Sequence, residues 1–183
     1  MRLLRAAERA AVPWKNGGGI TREVAAFPEG AGFDRFDWRI SIADVATGGP
    51  FSRFPGIDRV LTVIEGRGLL LSVEGMAEAN LNERSNPFAF PGDAGCDATL
   101  LYGPIRDLNV MTRRGTCTAA VRRILAPEEI LCRDAATILV ALDTLSLGAE
   151  TLAPYDAALG TPGEIFKLGG GRVQAVLATI DLK

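Results

Sequence analysis

The chain has 183 residues, 48% of them hydrophobic and 23% charged, a balance that buries a core and excludes intrinsic disorder. Its net charge of −2 offers no global field for nucleic acid or an anionic membrane, and no apolar run reaches the ~18 residues of a spanning helix. Histidine is absent altogether, which excludes a histidine general base, every serine–histidine or cysteine–histidine couple, and any histidine metal ligand.

The N-terminal MRLLRAAERAAV carries arginines through what would have to be the apolar part of a signal peptide. Arg5 to Ala11 is alanine-rich but short, and Pro13 stops it. Then comes the most unusual stretch, Pro13-Trp14-Lys15-Asn16-Gly17-Gly18-Gly19-Ile20-Thr21-Arg22-Glu23. Successive glycine amides can converge on an anion, with Lys15 and Arg22 supplying charge; the same residues also suit an ordinary glycine turn between two strands. Lys15 is one of only three lysines, beside 17 arginines, so it is not a sample from a lysine-rich solvated surface.

Strand and turn signals follow. Thr21 to Phe27 ends at Pro28-Glu29-Gly30, and Asp37 to Val45 alternates cleanly, with Trp38, Ile40 and Ile42 on one face and Arg39, Ser41 and Ala43 on the other. Arg59 to Ile64 and Leu69 to Val73 read as a hairpin across Glu65-Gly66-Arg67-Gly68. Glu78 to Leu81, Phe88 to Phe90, Ala98 to Tyr102 and Asp107 to Met111 are further short strands. After Arg113-Arg114-Gly115 the pattern begins again, with strand character over Cys117 to Leu125, Thr137 to Leu147, Glu164 to Leu168 and Arg172 to Leu182. Ala126-Pro127-Glu128-Glu129-Ile130-Leu131 has the proline and acidic first turn of a short helix. The rhythm predicts an all-β chain in two halves, residues 1–115 and 116–183, packed as one unit. Cys96, Cys117 and Cys132 are scattered and lack a CxxC pairing; they read as reduced, buried small hydrophobes of a cytoplasmic protein without a thiolate metal site.

Phe51-Ser52-Arg53-Phe54-Pro55-Gly56-Ile57-Asp58-Arg59, the glycine hairpin at 65–68 and Phe90-Pro91-Gly92-Asp93 resemble the core of a cupin. The resemblance puts Arg59 near the cupin glutamate position, Arg53 near the first histidine, and Gly95 or Cys96 where the third histidine would stand, so the metal site is replaced in part by arginine. As a set, PWKNGGGITREV, FDWRISIADV, GPFSRFPGIDRVLTVIEG, PFAFPGD and RDLNVMTRR, spanning residues 13 to 114, resemble the HutD/Ves family. That resemblance implies a bicupin fold of two jelly-roll barrels, and an accessory role in histidine utilisation through binding of an N-formylglutamate-like or urocanate-like acid.

The expected ligand is therefore a small carboxylate metabolite, with no cofactor, metal, nucleic acid or membrane involved. The candidate ligand-binding residues are Lys15, Asn16, Gly17, Gly18, Thr21, Arg22, Arg39, Ser41, Arg59 and Asn109. Each has a plainer alternative. Arg39 and Ser41 either line a pocket or face solvent. Arg59 either binds a carboxylate bidentately or forms a surface ion pair with Asp58 or Asp44. Asn109, on one face with Asp107, either completes hydrogen bonding to a ligand or sits on a polar outer face. Arg113-Arg114 and Arg122-Arg123 read as a solvated face or a homodimer contact. A different class remains open: a metal-independent enzyme with Glu23, Asp44 or Asp107 as general base. Neighbouring arginines would lower the pKa that such a base needs raised.

Overall fold

The computed structural model describes residues 1–32 and 35–183. It is built of antiparallel strands, and among the described residues no helix is long and apolar enough to cross a membrane. The chain forms two units, one of residues 10–115 and one of residues 1–9 with 116–183. The first nine residues thus go with the second half of the chain: β1 (Arg2–Leu4) pairs with a strand near residue 158. The alanine-rich segment that follows is a single 3-10 turn, Ala6–Glu8.

The unit of residues 10–115 carries β2 (Ala11–Pro13), β3 (Gly19–Phe27), β4 (Trp38–Val45), β5 (Gly49–Pro50), β6 (Ile57–Glu65), β7 (Leu69–Val73), β8 (Ala79–Leu81), β9 (Phe88–Pro91), β10 (Cys96–Leu100) and β11 (Ile105–Arg113). One sheet runs β2-β3-β4-β11-β6-β9 and the other β5-β10-β7-β8. Ala43, Val45, Leu61 and Val63 of the first meet Leu69, Leu71, Val73 and Ala98 of the second in a common core, the facing-sheet arrangement of a jelly roll. Each fully buried leucine or valine there stabilises the unit by about 1.5–3 kcal/mol.

The expected hairpin of Arg59 to Ile64 with Leu69 to Val73 does not form. β6 pairs with β11 and β9, whereas β7 pairs with β10 and β8. The turn between them carries the chain from one sheet to the other. Gly68 makes that crossing with φ +112°, where a Cβ would stand 2.4 Å from the Leu81 carbonyl oxygen; no other residue fits.

The second unit adds β12 (Cys117–Leu125), β13 (Glu128–Leu131), β14 (Ala136–Ala141), β15 (Leu145–Leu147), β16 (Glu150–Leu152), β17 (Ala157–Gly160), β18 (Ile165–Gly169) and β19 (Gln174–Leu182). Its sheets run β1-β17-β14-β19-β12 and β13-β18-β15-β16. The core between them, with Ile124, Leu139, Leu145, Leu152, Phe166 and Leu177, is apolar throughout. The predicted helix at 126–131 is strand β13. Ile130 is buried in that core, the backbone pairs with β18, and Glu129 lies opposite Lys167 at 3.8 Å. Tertiary pairing outweighs the weak local helix preference of so short a segment.

Candidate functional site

The first unit is buried on both faces of its large sheet: every residue of β4 except the half-buried Asp44 is buried. Ala43 and Val45 belong to the core between the two sheets, so alternation along β4 turns Ser41 and Arg39 inward as well. On β6 the inward residues are Arg59, Leu61 and Val63, and on β11 they are Asp107, Asn109 and Met111, matched to the β4 set by the register. Arg39 and Arg59 both lie opposite Met111, two strand spacings or about 10 Å apart along the sheet. Ser41 and Leu61 flank Asn109 in the next layer, and Ala43 and Val63 flank Asp107 in the layer beyond. Two arginines, a serine, an asparagine and an aspartate thus line the inside of one barrel, all under 9% exposed.

Arg59 is at the centre of this group. Its guanidinium carbon lies 5.6, 5.5 and 4.9 Å from the ring centroids of Phe51, Phe54 and Phe90, within cation–π range of all of them. Nε and Nη2 both donate to Asn109 Oδ1, at 3.2 and 3.1 Å, and Nη1 donates to the Ser52 carbonyl oxygen at 3.4 Å. Among the described residues no carboxylate lies within ion-pair distance of it. A guanidinium carries five N–H donors, so this buried cation keeps hydrogen-bonding capacity in reserve. Burial holds its pKa below the ordinary arginine value, opposed by the more distant Asp107.

Asn109 passes the contact on: its Nδ2 donates to Asp107 Oδ1 at 3.4 Å. Asp107 is 1% exposed, and burial pushes its carboxyl up to about 7, against the lowering effect of Arg59 and the Asn109 bond. Arg39 is differently served. Its Nε donates to Glu23 Oε2 at 2.7 Å and its Nη1 to Ser41 Oγ at 3.4 Å. Cys96, also inside the barrel, has its thiol pKa raised by burial and stays neutral. The interior therefore holds two guanidinium charges, with Glu23 paired to Arg39 and an Asp107 carboxyl whose charge burial disfavours.

Thr21 lies opposite Ala43 and so faces inward, where its Oγ1 accepts a 2.7 Å bond from Trp14 Nε1. Trp14 in turn meets Phe51 edge-on at 6.2 Å. The glycine stretch itself is a tight turn joining β2 to β3. The Gly17 amide donates to the Trp14 carbonyl and the Gly18 amide to Asn16 Oδ1 at 3.0 Å. Those amides already have partners, so they form no open anion nest in this conformation. Gly19 is required for another reason: a Cβ there would lie 2.5 Å from the Asp44 carbonyl oxygen. Lys15 and Asn16 are exposed at this turn. Gly19 pairs with Val45, six residues or about 20 Å of strand away from Arg39. Arg22 lies opposite Ile42 and points to the other face of the sheet, paired with Asp44, which also binds Arg106.

The structure thus brings together Arg39, Ser41, Arg59 and Asn109, with Thr21 nearby, and leaves Lys15, Asn16, Gly17, Gly18 and Arg22 outside that group. Arg53, aligned with a cupin histidine, is exposed and lies 3.5 Å from Glu74. Phe51, Phe54 and Phe90 belong to the site but have no ligand role in the sequence reading, and Glu23 and Asp107, which belong to it too, enter that reading only as candidate general bases of the alternative enzyme. The alternation of Asp107 with Asn109 was the signal that put the aspartate on the same face. Among the described residues no group of metal-ligating side chains comes together.

A profile of the HutD family matches residues 6–177. Protein Ves of Citrobacter koseri is 47% identical over 111 residues, 60% of this chain and 56% of that protein. A 21.2 kDa protein of the hutC 3′ region of Pseudomonas putida is 43% identical over 111 residues, 61% and 57% of the respective chains. The chain spans little more than half the length of these curated relatives. HutD from Pseudomonas fluorescens SBW25, solved in a formate condition, matches with a TM-score of 0.88 at 31% identity, over 100% of this chain and 98% of that one. A Momordica charantia 7S globulin, at TM-score 0.63 and 9% identity over 97% and 83% of the two chains, shares the fold alone, that of a bicupin. By its fold and its sequence, the chain belongs to the HutD family.

Proposed function

We propose that the barrel of residues 10–115 binds a small carboxylate metabolite of histidine degradation, of the N-formylglutamate or urocanate kind, and that the chain moderates flux through that pathway in the cytoplasm. The observation that carries this reading is Arg59: a buried guanidinium ringed by Phe51, Phe54 and Phe90 and, among the described residues, bonded only to an amide and a backbone carbonyl. A buried cation without a contacting counter-ion is costly unless something pairs with it, and a carboxylate matches the planar fork of its donors. Arg39, Ser41 and Asn109 line the same space and supply further donors. The relative from a hutC region supports the choice of pathway.

The test is thermal stabilisation by a panel of N-formylglutamate, urocanate, glutamate and formate, since a ligand of the folded state raises the melting point. Arg59→Met should abolish the shift, with a loss of affinity on the order of 100-fold from the missing charged hydrogen bonds. A panel that gives no shift at millimolar concentration refutes the proposal.

Asp107 favours a second reading, a metal-independent enzyme acting on a similar acid. Burial pushes its carboxyl up to about 7, where a general acid–base works best at neutral pH. Turnover of the bound acid seen by NMR, and lost in Asp107→Asn, would establish it; an unchanged spectrum over prolonged incubation excludes it.

A further inference from the structure

We propose that Asp107 couples anion uptake by the first barrel to the uptake of a proton: the barrel accepts a small carboxylate together with one proton on Asp107. The inference rests on the anion-binding reading above and goes beyond it, because it assigns a role to a residue that need not touch the ligand. Asp107 is 1% exposed, and among the described residues its sole hydrogen-bond partner is Asn109, at a long 3.4 Å. A buried carboxylate so weakly held gains little from its charge. Asn109 joins it to the proposed anion site, since the same amide whose Nδ2 faces Asp107 accepts two bonds from Arg59 through Oδ1.

The charged and titratable groups around Asp107 define the competition. Arg59 on β6 is the cation that acts on it, and Asp44 on β4 adds a smaller opposing charge from the other face of the sheet. Arg39 on β4 is already occupied by Glu23 of β3, and Cys96 on β10 is neutral. An ionised Asp107 therefore offsets the charge of Arg59 from within the barrel, and a second anion beside Arg59 would repel it across a low-dielectric interior. Protonation removes both obstacles at once. By linkage, an anion that prefers the protonated barrel must raise the affinity of Asp107 for its proton by the same factor.

Isothermal titration of N-formylglutamate and of formate into the full chain, at pH 6 and pH 8 in buffers of different ionisation enthalpy, tests this. Both ligands are fully ionised across that range, so any proton taken up goes to the protein. The expected result is uptake approaching one proton per anion at pH 8, little at pH 6, and affinity that falls toward tenfold per pH unit above the midpoint of free Asp107. Asp107→Asn should show neither proton uptake nor pH dependence. If that variant fails to fold, carboxyl-carbon NMR of wild-type Asp107 serves instead, with a midpoint that rises when anion is added. Wild-type binding without proton uptake, pH dependence that survives Asp107→Asn, or an unmoved Asp107 midpoint overturns the coupling and leaves the binding reading standing. Absence of binding by either anion at pH 6 overturns both.

Discussion

Replacing Asp107 by asparagine keeps the shape of the side chain and the acceptor for Asn109, while removing a proton site. In the folded protein this carboxyl is pushed up to about 7 from an ordinary 3.8, chiefly by burial. Between those values the folded chain holds a proton that the unfolded chain has released. Stability is then fully present below about pH 4 and falls by about 1.4 kcal/mol per pH unit as pH rises, levelling off above 7. Over the whole interval the loss amounts to about 4 kcal/mol, a large share of the stability of an ordinary domain. Asp107→Asn removes this dependence, so its stability relative to wild type should improve by about 3 kcal/mol between pH 5 and pH 8. Both tryptophans, Trp14 and Trp38, lie in residues 10–115, so their fluorescence during urea denaturation at a series of pH values reports the unit concerned. Parallel stability–pH curves for mutant and wild type would refute the reasoning, since they would mean that Asp107 titrates as an ordinary carboxyl.

Other perturbations test other parts of the description. Gly19→Ala forces a Cβ to within 2.5 Å of the Asp44 carbonyl and 3.1 Å of the Trp14 ring, and should lower stability by about 1–3 kcal/mol in denaturant titration. Phe166→Ala empties the centre of the second unit's apolar core; a loss of about 3–5 kcal/mol is expected, with anion binding by the remaining folded protein unchanged. Asp156→Ala removes the acceptor for the Ala6 and Ala153 amides and for Arg5, freeing the N-terminal segment at a cost of about 2–4 kcal/mol. Burial alone would raise the Asp156 pKa, but those bonds hold it below the ordinary carboxylate range. Wild type should therefore gain from Asp156 above that range and lose the gain as pH falls through it, and Asp156→Ala should flatten the acid limb of the melting curve.

Much of the architecture is local in origin. Alternation placed strands close to where they lie, as with Asp37 to Val45 against the observed Trp38–Val45 and Leu69 to Val73 against the same bounds. It also grouped Arg39 with Ser41 and Asp107 with Asn109, because side chains two apart in a strand share a face whatever the fold. The absence of histidine by itself ruled out histidine-based catalysis and ligation. What alternation lacks is a sign. β4 is buried on both faces, so nothing in its own residues says which face looks into the barrel; the facing sheet, with Leu69, Leu71 and Ala98, decides that. Strand partners are non-local in the same way. β7 pairs with β10 rather than β6, the first strand joins the second unit, and residues 128–131 extend because β18 offers an edge. The glycine stretch shows the boundary best. Its sequence suits either an anion nest or a plain turn, and only the fold showed those amides bonded within the turn and, among the described residues, a buried Arg59 with no carboxylate at ion-pair distance. The titration of Asp107 follows for the same physical reason: desolvation is a property of what surrounds a carboxyl in space, and the chain neighbours Arg106 and Leu108 carry no trace of it.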